Sequence, residues 1–269
     1  MKHYASIFIS DLHLGSPWCR AEELLDFLNS FTCDKLYLVG DILDNWHLQR
    51  KHPLPAPHLH VWERLLRLSE EIEVTYLVGN HDDFLHSGQP YHSLFKAAFA
   101  NIRLCAEAIH TAPDGRRYLV THGDVFDPAL RIPGLSELAA FFYESARSLA
   151  GALPRSSPAK RVKAERIDAW LMRQQEFITR LFGNARGRML ATVKSRGLDG
   201  IICGHTHLAD LRTLDGLVYA NCGYWTGACH ALLENAHGAL SLLPWGRAHV
   251  QRPLPQPVLQ QPDSATNSF

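Results

Sequence analysis

Runs of apolar and β-branched residues recur along the chain, four to seven residues long, and each stops at a polar cluster. YASIFIS (4–10) stops at Asp11, KLYLVG (35–40) at Asp41, VTYLVG (74–79) at Asn80, RRYLVT (116–121) at His122 and GIICG (200–204) at His205. Several are nearly continuous in apolar character, which predicts strands buried on both faces. Between the first of them, apolar residues recur at helical spacing over Arg20–Ser30 and over His58–Glu71, with Leu59, Trp62, Leu65, Leu66 and Leu68 in the second stretch. Alternation of strand and helix predicts an α/β fold. More strands are expected from LVYANCG, ACHALLE and GALSLL, between Leu217 and Leu243.

Residues from about 125 to 196 break this rhythm. SELAAFFYESARSLAGAL (136–153) and PAKRVKAERIDAWLMRQQEFITRLF (158–182) read as two amphipathic helices parted by LPRSSP. Over 147–196 there are 12 Lys and Arg against 3 Asp and Glu, an excess of nine positive charges in a chain of zero net charge. This predicts a helical insertion that meets an anionic, partly apolar surface; the plainer alternative is a solvated helix face. One domain is expected over 1–247 with the insertion inside it. The Pro-, Gln- and Ser-rich residues 248–269 are expected to form a disordered tail.

Composition narrows the function classes. A hydrophobic content of 46% and a charged content of 20% suit a globular protein with a packed core. Zero net charge gives no electrostatic footprint for nucleic acid, so no nucleic-acid partner is expected. No apolar run approaches the length of a spanning helix, and MKHYASIFISD is too short and too polar for a secretory leader. The six cysteines are scattered without a C-x-x-C pair, so a cytoplasmic protein with reduced thiols is expected. Histidine is abundant, at 16 residues, and it is the commonest side-chain metal ligand.

The polar clusters then acquire a common meaning. They read SDLHLG (10–15), VGDILDNW (39–46), VGNHDDF (78–84), THGDVFD (121–127) and CGHTHLAD (203–210). In an open α/β sheet, ligands sit beyond the carboxyl ends of the strands, so all five clusters should converge at one edge. If each strand simply continued, Asp11 would point with His13 and His205 with His207. Asp11, His13, Asp41, Asn80, His122, His205 and His207 are seven nitrogen and oxygen donors, too many for one tetrahedral zinc. They suit two divalent ions that share a carboxylate and clamp a phosphoryl group. Manganese is expected first, with iron or zinc as alternatives.

D-x-H, G-D-x-x-D, G-N-H-D, H-G-D and G-H-T-H, in this order over residues 6 to about 210, resemble the calcineurin-like metallophosphoesterase superfamily. The resemblance implies an α/β/β/α sandwich with a dimetal site at the strand ends. One ion would take Asp11, His13, Asp41 and His207, and the other Asp41, Asn80, His122 and His205, with Asp41 bridging. Asn80 would also touch the substrate phosphate. His81 would face the phosphoryl group as acid or electrostatic stabiliser, with Asp82 orienting it.

Within the superfamily, GDILDNW, THGDVFD, the basic insertion and NCGYW (221–225) resemble the UDP-2,3-diacylglucosamine pyrophosphatase group. That resemblance implies release of UMP and a lipid-linked sugar 1-phosphate at the cytoplasmic face of the inner membrane, with the insertion holding acyl chains. Asp44, Asn45, Trp46, Lys160, Arg161, Lys163 and Arg166 are candidates for substrate contact. One departure stands out: Gly79-Asn80-His81-Asp82 replaces the G-N-R-D that the established pyrophosphatases resemble. A phosphate leaving group departs unaided, whereas an alkoxide needs a proton that an imidazolium can supply. His81 therefore keeps open a different phosphodiester or phosphomonoester substrate. Oligomeric state is open.

Overall fold

A computed structural model describes residues 2–49, 54–127 and 185–246. Eleven strands among them form two sheets. They are β1 (Lys2–Ile9), β2 (Phe31–Val39), β3 (Glu73–Leu77), β4 (Ile102–Cys105), β5 (Glu107–Thr111), β6 (Arg117–Thr121), β7 (Gly200–Cys203), β8 (Asp210–Leu214), β9 (Leu217–Asn221), β10 (His230–Glu234) and β11 (Leu240–Pro244). The first sheet runs β11-β10-β1-β2-β3-β4 and the second β5-β6-β7-β9-β8. Strands β1 to β4 are mutually parallel, as are β6, β7 and β9. Five helices accompany them: α1 (Ala21–Ser30), α2 (Asn45–Leu48), α3 (Ala56–Glu71), α4 (Pro90–Ala98) and α5 (Ala185–Ser195).

Period-two alternation distributes the strand residues over three apolar layers. Ile7, Ile9, Leu36 and Leu38 face an outer core shared with α1 and α3. Phe8, Tyr37 and Val39, between them in sequence, face the other way and meet Tyr118, Val120 and Ile202 of the second sheet. Leu119 and Ile201 turn outward onto Met189 and Val193 of α5. Strands buried on both faces explain the unbroken apolar runs. The layers make an α/β/β/α sandwich, as expected.

Helix α3 buries His58, Val61, Leu65 and Leu68, the i, i+3, i+7 stripe of a one-sided helix. Leu59 is exposed, contrary to its place in the expected stripe. The short strands β4, β5 and β8 and helix α4 carry mixed polar sequences, and the apolar pattern did not announce them. Of the expected insertion, the helices at 136–153 and 158–182 lie outside the described residues, as does the tail at 248–269. Its C-terminal end is α5, which packs on the second sheet.

One polar node pins the two sheets together. His110 on β5 meets Glu234 of β10 at 2.8 Å through Nε2 and the Tyr37 hydroxyl of β2 at 3.1 Å through Nδ1. His110 belongs to none of the five motifs, yet it is 1% exposed. A polar group buried this deeply is stable only while its partners are present. Glu234→Ala should therefore cost roughly 3 kcal/mol of stability, read as a lower urea midpoint. Glu234→Gln, which retains an acceptor, should cost less.

Candidate metal centre

The five motif clusters converge. The first two are zipped together by their backbones: Asp11 N–H donates to the Gly40 carbonyl (3.1 Å), His13 N–H to Asp41 (2.9 Å) and Leu14 N–H to Ile42 (2.8 Å). The third joins when His81 N–H donates to Asp41 Oδ1 (2.8 Å) and Asn45 N–H to the His81 carbonyl (3.2 Å). The fifth joins through Gly204 N–H to the His122 carbonyl (2.9 Å) and His205 N–H to Asp11 Oδ2 (3.1 Å).

The side chains do not reach this centre by strand pleating. Asp11, His13, Asp41, His205 and His207 all lie in the left-handed region, with φ of 55°, 49°, 53°, 67° and 56°. Each such residue costs roughly 1 kcal/mol, and Asp and His are among the types that tolerate it. Asp11 and His13 do share a donor cluster, whereas His207 joins it without His205, and in both pairs the strand has already ended and the chain is coiling back. Two glycines allow the close approach. A methyl at Gly79 would overlap Asp41, and one at Gly204 would overlap Ser10 and Asp11.

Three clusters of Asp and His donors lie within 4.8 Å of one another: Asp11, His13 and His207; Asp11, Asp41 and His122; and His13, Asp41 and His81. Asp11, Asp41 and His13 each belong to two of the three, so the clusters form one continuous donor set. His205 belongs to none of the three; its ring lies 5.3 Å from that of His122, and its Nε2 lies 3.0 Å from Asp127 Oδ2.

Donor chemistry fits divalent ions. Asp11 Oδ1, His13 Nε2, Asn80 Oδ1, His122 Nε2 and His207 Nδ1 are buried and make no hydrogen bond of acceptable geometry. His122 shows why. Its Nδ1 can only donate to the Val39 carbonyl (2.9 Å), so Nε2 is left toward Asp41 Oδ2, 3.3 Å away. That is the arrangement in which an outer partner fixes the tautomer of a metal-binding histidine. Burial alone would raise Asp41, yet the neighbouring His122 and His81 hold it well below the usual carboxylate range. Burial likewise opposes ionisation of Asp11, which His207 overcomes. Without cations, then, the buried carboxylates are held ionised by the imidazoles beside them.

His81 has a built environment, and it differs from the expected one. Asp82 does not orient the ring. Its carboxylate is wholly buried and is used by Gly79 N–H (2.5 Å), Tyr76 O–H (2.6 Å) and Ile42 N–H (2.9 Å). It shapes the loop, and burial beside Asp41 pushes it up to about 6. Asp44 is the carboxylate that faces His81, at 3.5 Å from Nδ1. Asp44 also meets His13 Nδ1 (3.5 Å) and His47 Nδ1 (3.0 Å). It is therefore a buried hub for three imidazoles rather than a surface for substrate. Burial would raise it, but those three rings hold it far below the carboxylate range. Trp46 packs on His81 with centroids 4.0 Å apart, and Asn45 opens α2 beside them. Lys160, Arg161, Lys163 and Arg166 lie outside the described residues.

Several contributors had no motif of their own. Tyr224 stacks on His207 at 5.1 Å and 11°. Asn221 donates to the Gly204 carbonyl (2.7 Å) and to Thr206 Oγ1 (3.1 Å), bracing the last loop. Trp225 N–H donates to the Asp11 carbonyl (3.0 Å). All three lie in NCGYW, which counted in the sequence as a mark of resemblance and as the end of a strand-like run, with no role assigned to its residues. His58, which belongs to none of the five motifs, is buried and accepts from Gly15 N–H at 2.9 Å. Four of the six cysteines are buried and all are free, in keeping with packing roles.

Comparisons with known proteins give the class of the chain. The calcineurin-like phosphoesterase family matches residues 6–209. The chain belongs to that family, whose members use a dinuclear metal centre, and it is a phosphoester hydrolase. UDP-2,3-diacylglucosamine hydrolase from Stenotrophomonas maltophilia (strain K279a) is 28% identical over 228 residues, covering 78% of this chain and 84% of that protein. Its counterpart from strain R551-3 is 26% identical over 227 residues with the same shares. Among solved structures, an archaeal phosphodiesterase has a TM-score of 0.45 at 13% identity, covering 89% of this chain and 98% of that one.

Two measurements check the centre. Asp41→Asn should lower the bound divalent ion found by elemental analysis, because it weakens a donor shared by two clusters. In metal-free protein, burial opposes charge on His81, but Asp41 and Asp44 outweigh it and raise its pKa to about 9. A group raised on folding stabilises the fold fully below its ordinary value of 6.5 and loses that contribution as pH rises through 9. The Tm of the metal-free chain should therefore fall over this window, and His81→Gln should flatten part of the slope.

Proposed function

We propose that this enzyme hydrolyses the pyrophosphate of a lipid-linked nucleotide sugar of the UDP-2,3-diacylglucosamine type, giving UMP and a lipid sugar 1-phosphate. The observation that carries this reading is similarity to two hydrolases named for that substrate across 78% of the chain. We take Asp11, His13, Asp41, Asn80, His122, His205 and His207 as the ligand set, with manganese as the expected ion. Divalent ions held there would supply positive charge for the phosphoryl oxygens and lower the pKa of a water molecule toward neutrality.

The chain's own groups do the rest. Asn80 presents a neutral amide oxygen, so it adds a donor without cancelling the charge that draws in an anionic substrate. Asp44 holds His81 Nδ1 and leaves the far edge of the ring for a phosphoryl oxygen or a leaving group. A protonated His81 would stabilise charge developing on that oxygen. Trp46 closes one side of the ring and restricts water there. No helix among the described residues is long and apolar enough to cross a membrane, so the acylated substrate would be reached by peripheral contact at the cytoplasmic face of the inner membrane.

His81 itself favours a second reading. A protonated histidine held by Asp44 through Nδ1 can give its proton to an alkoxide, which a phosphate leaving group does not need. An ordinary phosphodiester or phosphomonoester, such as a nucleotide, is the substrate under this reading.

The deciding experiment measures UMP release from UDP-2,3-diacylglucosamine by manganese-loaded protein, beside a chromogenic phosphodiester and a His205→Ala control. UMP release that falls at least about 100-fold in the control supports the lipid substrate. Diester hydrolysis without UMP release keeps the phosphoesterase chemistry and transfers the assignment to the second reading.

A further inference from the structure

We infer that Asp127 is a positioning residue for His205, held in place by Arg188 of α5. This rests on the reading of His205 as a metal ligand and specifies how that ligand is oriented. Asp127 closes a one-turn 3-10 helix, Asp124–Phe126, that follows His122. Its Oδ2 lies 3.0 Å from His205 Nε2. The turn has its own constraints. Gly123 opens it at φ 112°, and a side chain at Gly123 would overlap Met189 of α5. Phe126 N–H donates to the Gly123 carbonyl (3.1 Å) and Asp127 N–H to the Asp124 carbonyl (2.8 Å). From α5, Arg188 donates through both Nε (3.0 Å) and a terminal nitrogen to the Phe126 carbonyl, the peptide that carries Asp127.

The chemistry of imidazole gives this contact its consequence. A ring nitrogen that donates to a carboxylate cannot also hold a cation. The Asp127 pairing therefore assigns Nδ1 of His205 to the ion and fixes the tautomer and orientation of the ring. His205 has particular need of this. Its backbone is left-handed and it stands outside the three tight donor clusters, whereas His122 is already oriented by the Val39 carbonyl. Asp127 carries that orientation from the second sheet's outer helix to the ligand.

The test titrates full-length metal-free protein with Mn²⁺ in competition with a chelator and follows stoichiometry and affinity by elemental analysis and calorimetry. The unaltered chain should bind two ions. Asp127→Ala should keep one ion at unchanged affinity and bind the other about 10- to 100-fold more weakly. Asp127→Asn, which retains an acceptor oxygen, should recover part of that loss. Arg188→Met should weaken the same ion by a smaller factor. The Tm of the metal-free variants should stay near that of the unaltered chain, since Asp127 is partly exposed. Two ions bound by Asp127→Ala with unchanged affinities would overturn the inference and leave the metal centre standing. Failure of the unaltered chain to bind two ions would overturn the metal centre and the inference with it.

Discussion

Two carboxylates buried side by side, Asp11 and Asp41, are the constraint on which the rest of this molecule depends. They follow adjacent parallel strands, are 0% and 2% exposed, and repel one another. Removing a carboxylate from water costs several kcal/mol unless opposite charge or hydrogen bonds replace the water. Here the replacement is a shell of imidazoles and backbone N–H groups, with a place for divalent ions. Every loop that enters the centre contributes one of these groups. The left-handed turns and the close-approach glycines follow from fitting so many donors around two small side chains.

Such a centre needs a stiff frame, because each strained turn would relax if its strand could shift. The frame consists of three stacked apolar layers, with β1, β2, β6 and β7 buried on both faces. Their register fixes where each strand ends, and therefore where each ligand loop begins. The His110–Glu234–Tyr37 node adds a fixed point between the sheets, where an apolar layer alone would let them slide. Helix α5 serves both purposes: Met189 and Val193 pack the second sheet, while Arg188 reaches the turn beside His205.

Around His81 the structure separates two acidic residues that look equivalent in the chain. Asp82 is consumed by its own loop, holding Tyr76 and two backbone N–H groups. Asp44, thirty-seven positions from His81 in sequence, faces the ring. One carboxylate thus shapes the loop, and the other joins Asp41 in favouring the charged form of the histidine. The two proposed substrates differ in what they would ask of His81: an alkoxide leaving group would gain from its proton, and a phosphate leaving group does not need it.

The sequence by itself determined the strand ends, the seven donors and their order, because buried parallel strands leave unbroken apolar runs and a metal centre needs particular donor types after them. Alternation of those runs with amphipathic helices determined an α/β fold, and the sandwich followed only from the resemblance that the five motifs carry. Tertiary structure alone decided how the donors aim. Pleating predicted that Asp11 and His13 point together as strand neighbours, but both lie past the strand in left-handed turns that only the packed loops can hold. It decided the partners too: Asp44 rather than Asp82 for His81, Asp127 for His205, Tyr224 for His207 and Glu234 for His110. None of these is encoded in local spacing, since each joins segments that meet only when the two sheets stack. The short polar strands β4, β5 and β8 were hidden for the same reason. Their residues pair with neighbours brought close by the fold, and hydrogen bonds between strands leave no periodic trace in a single stretch of chain.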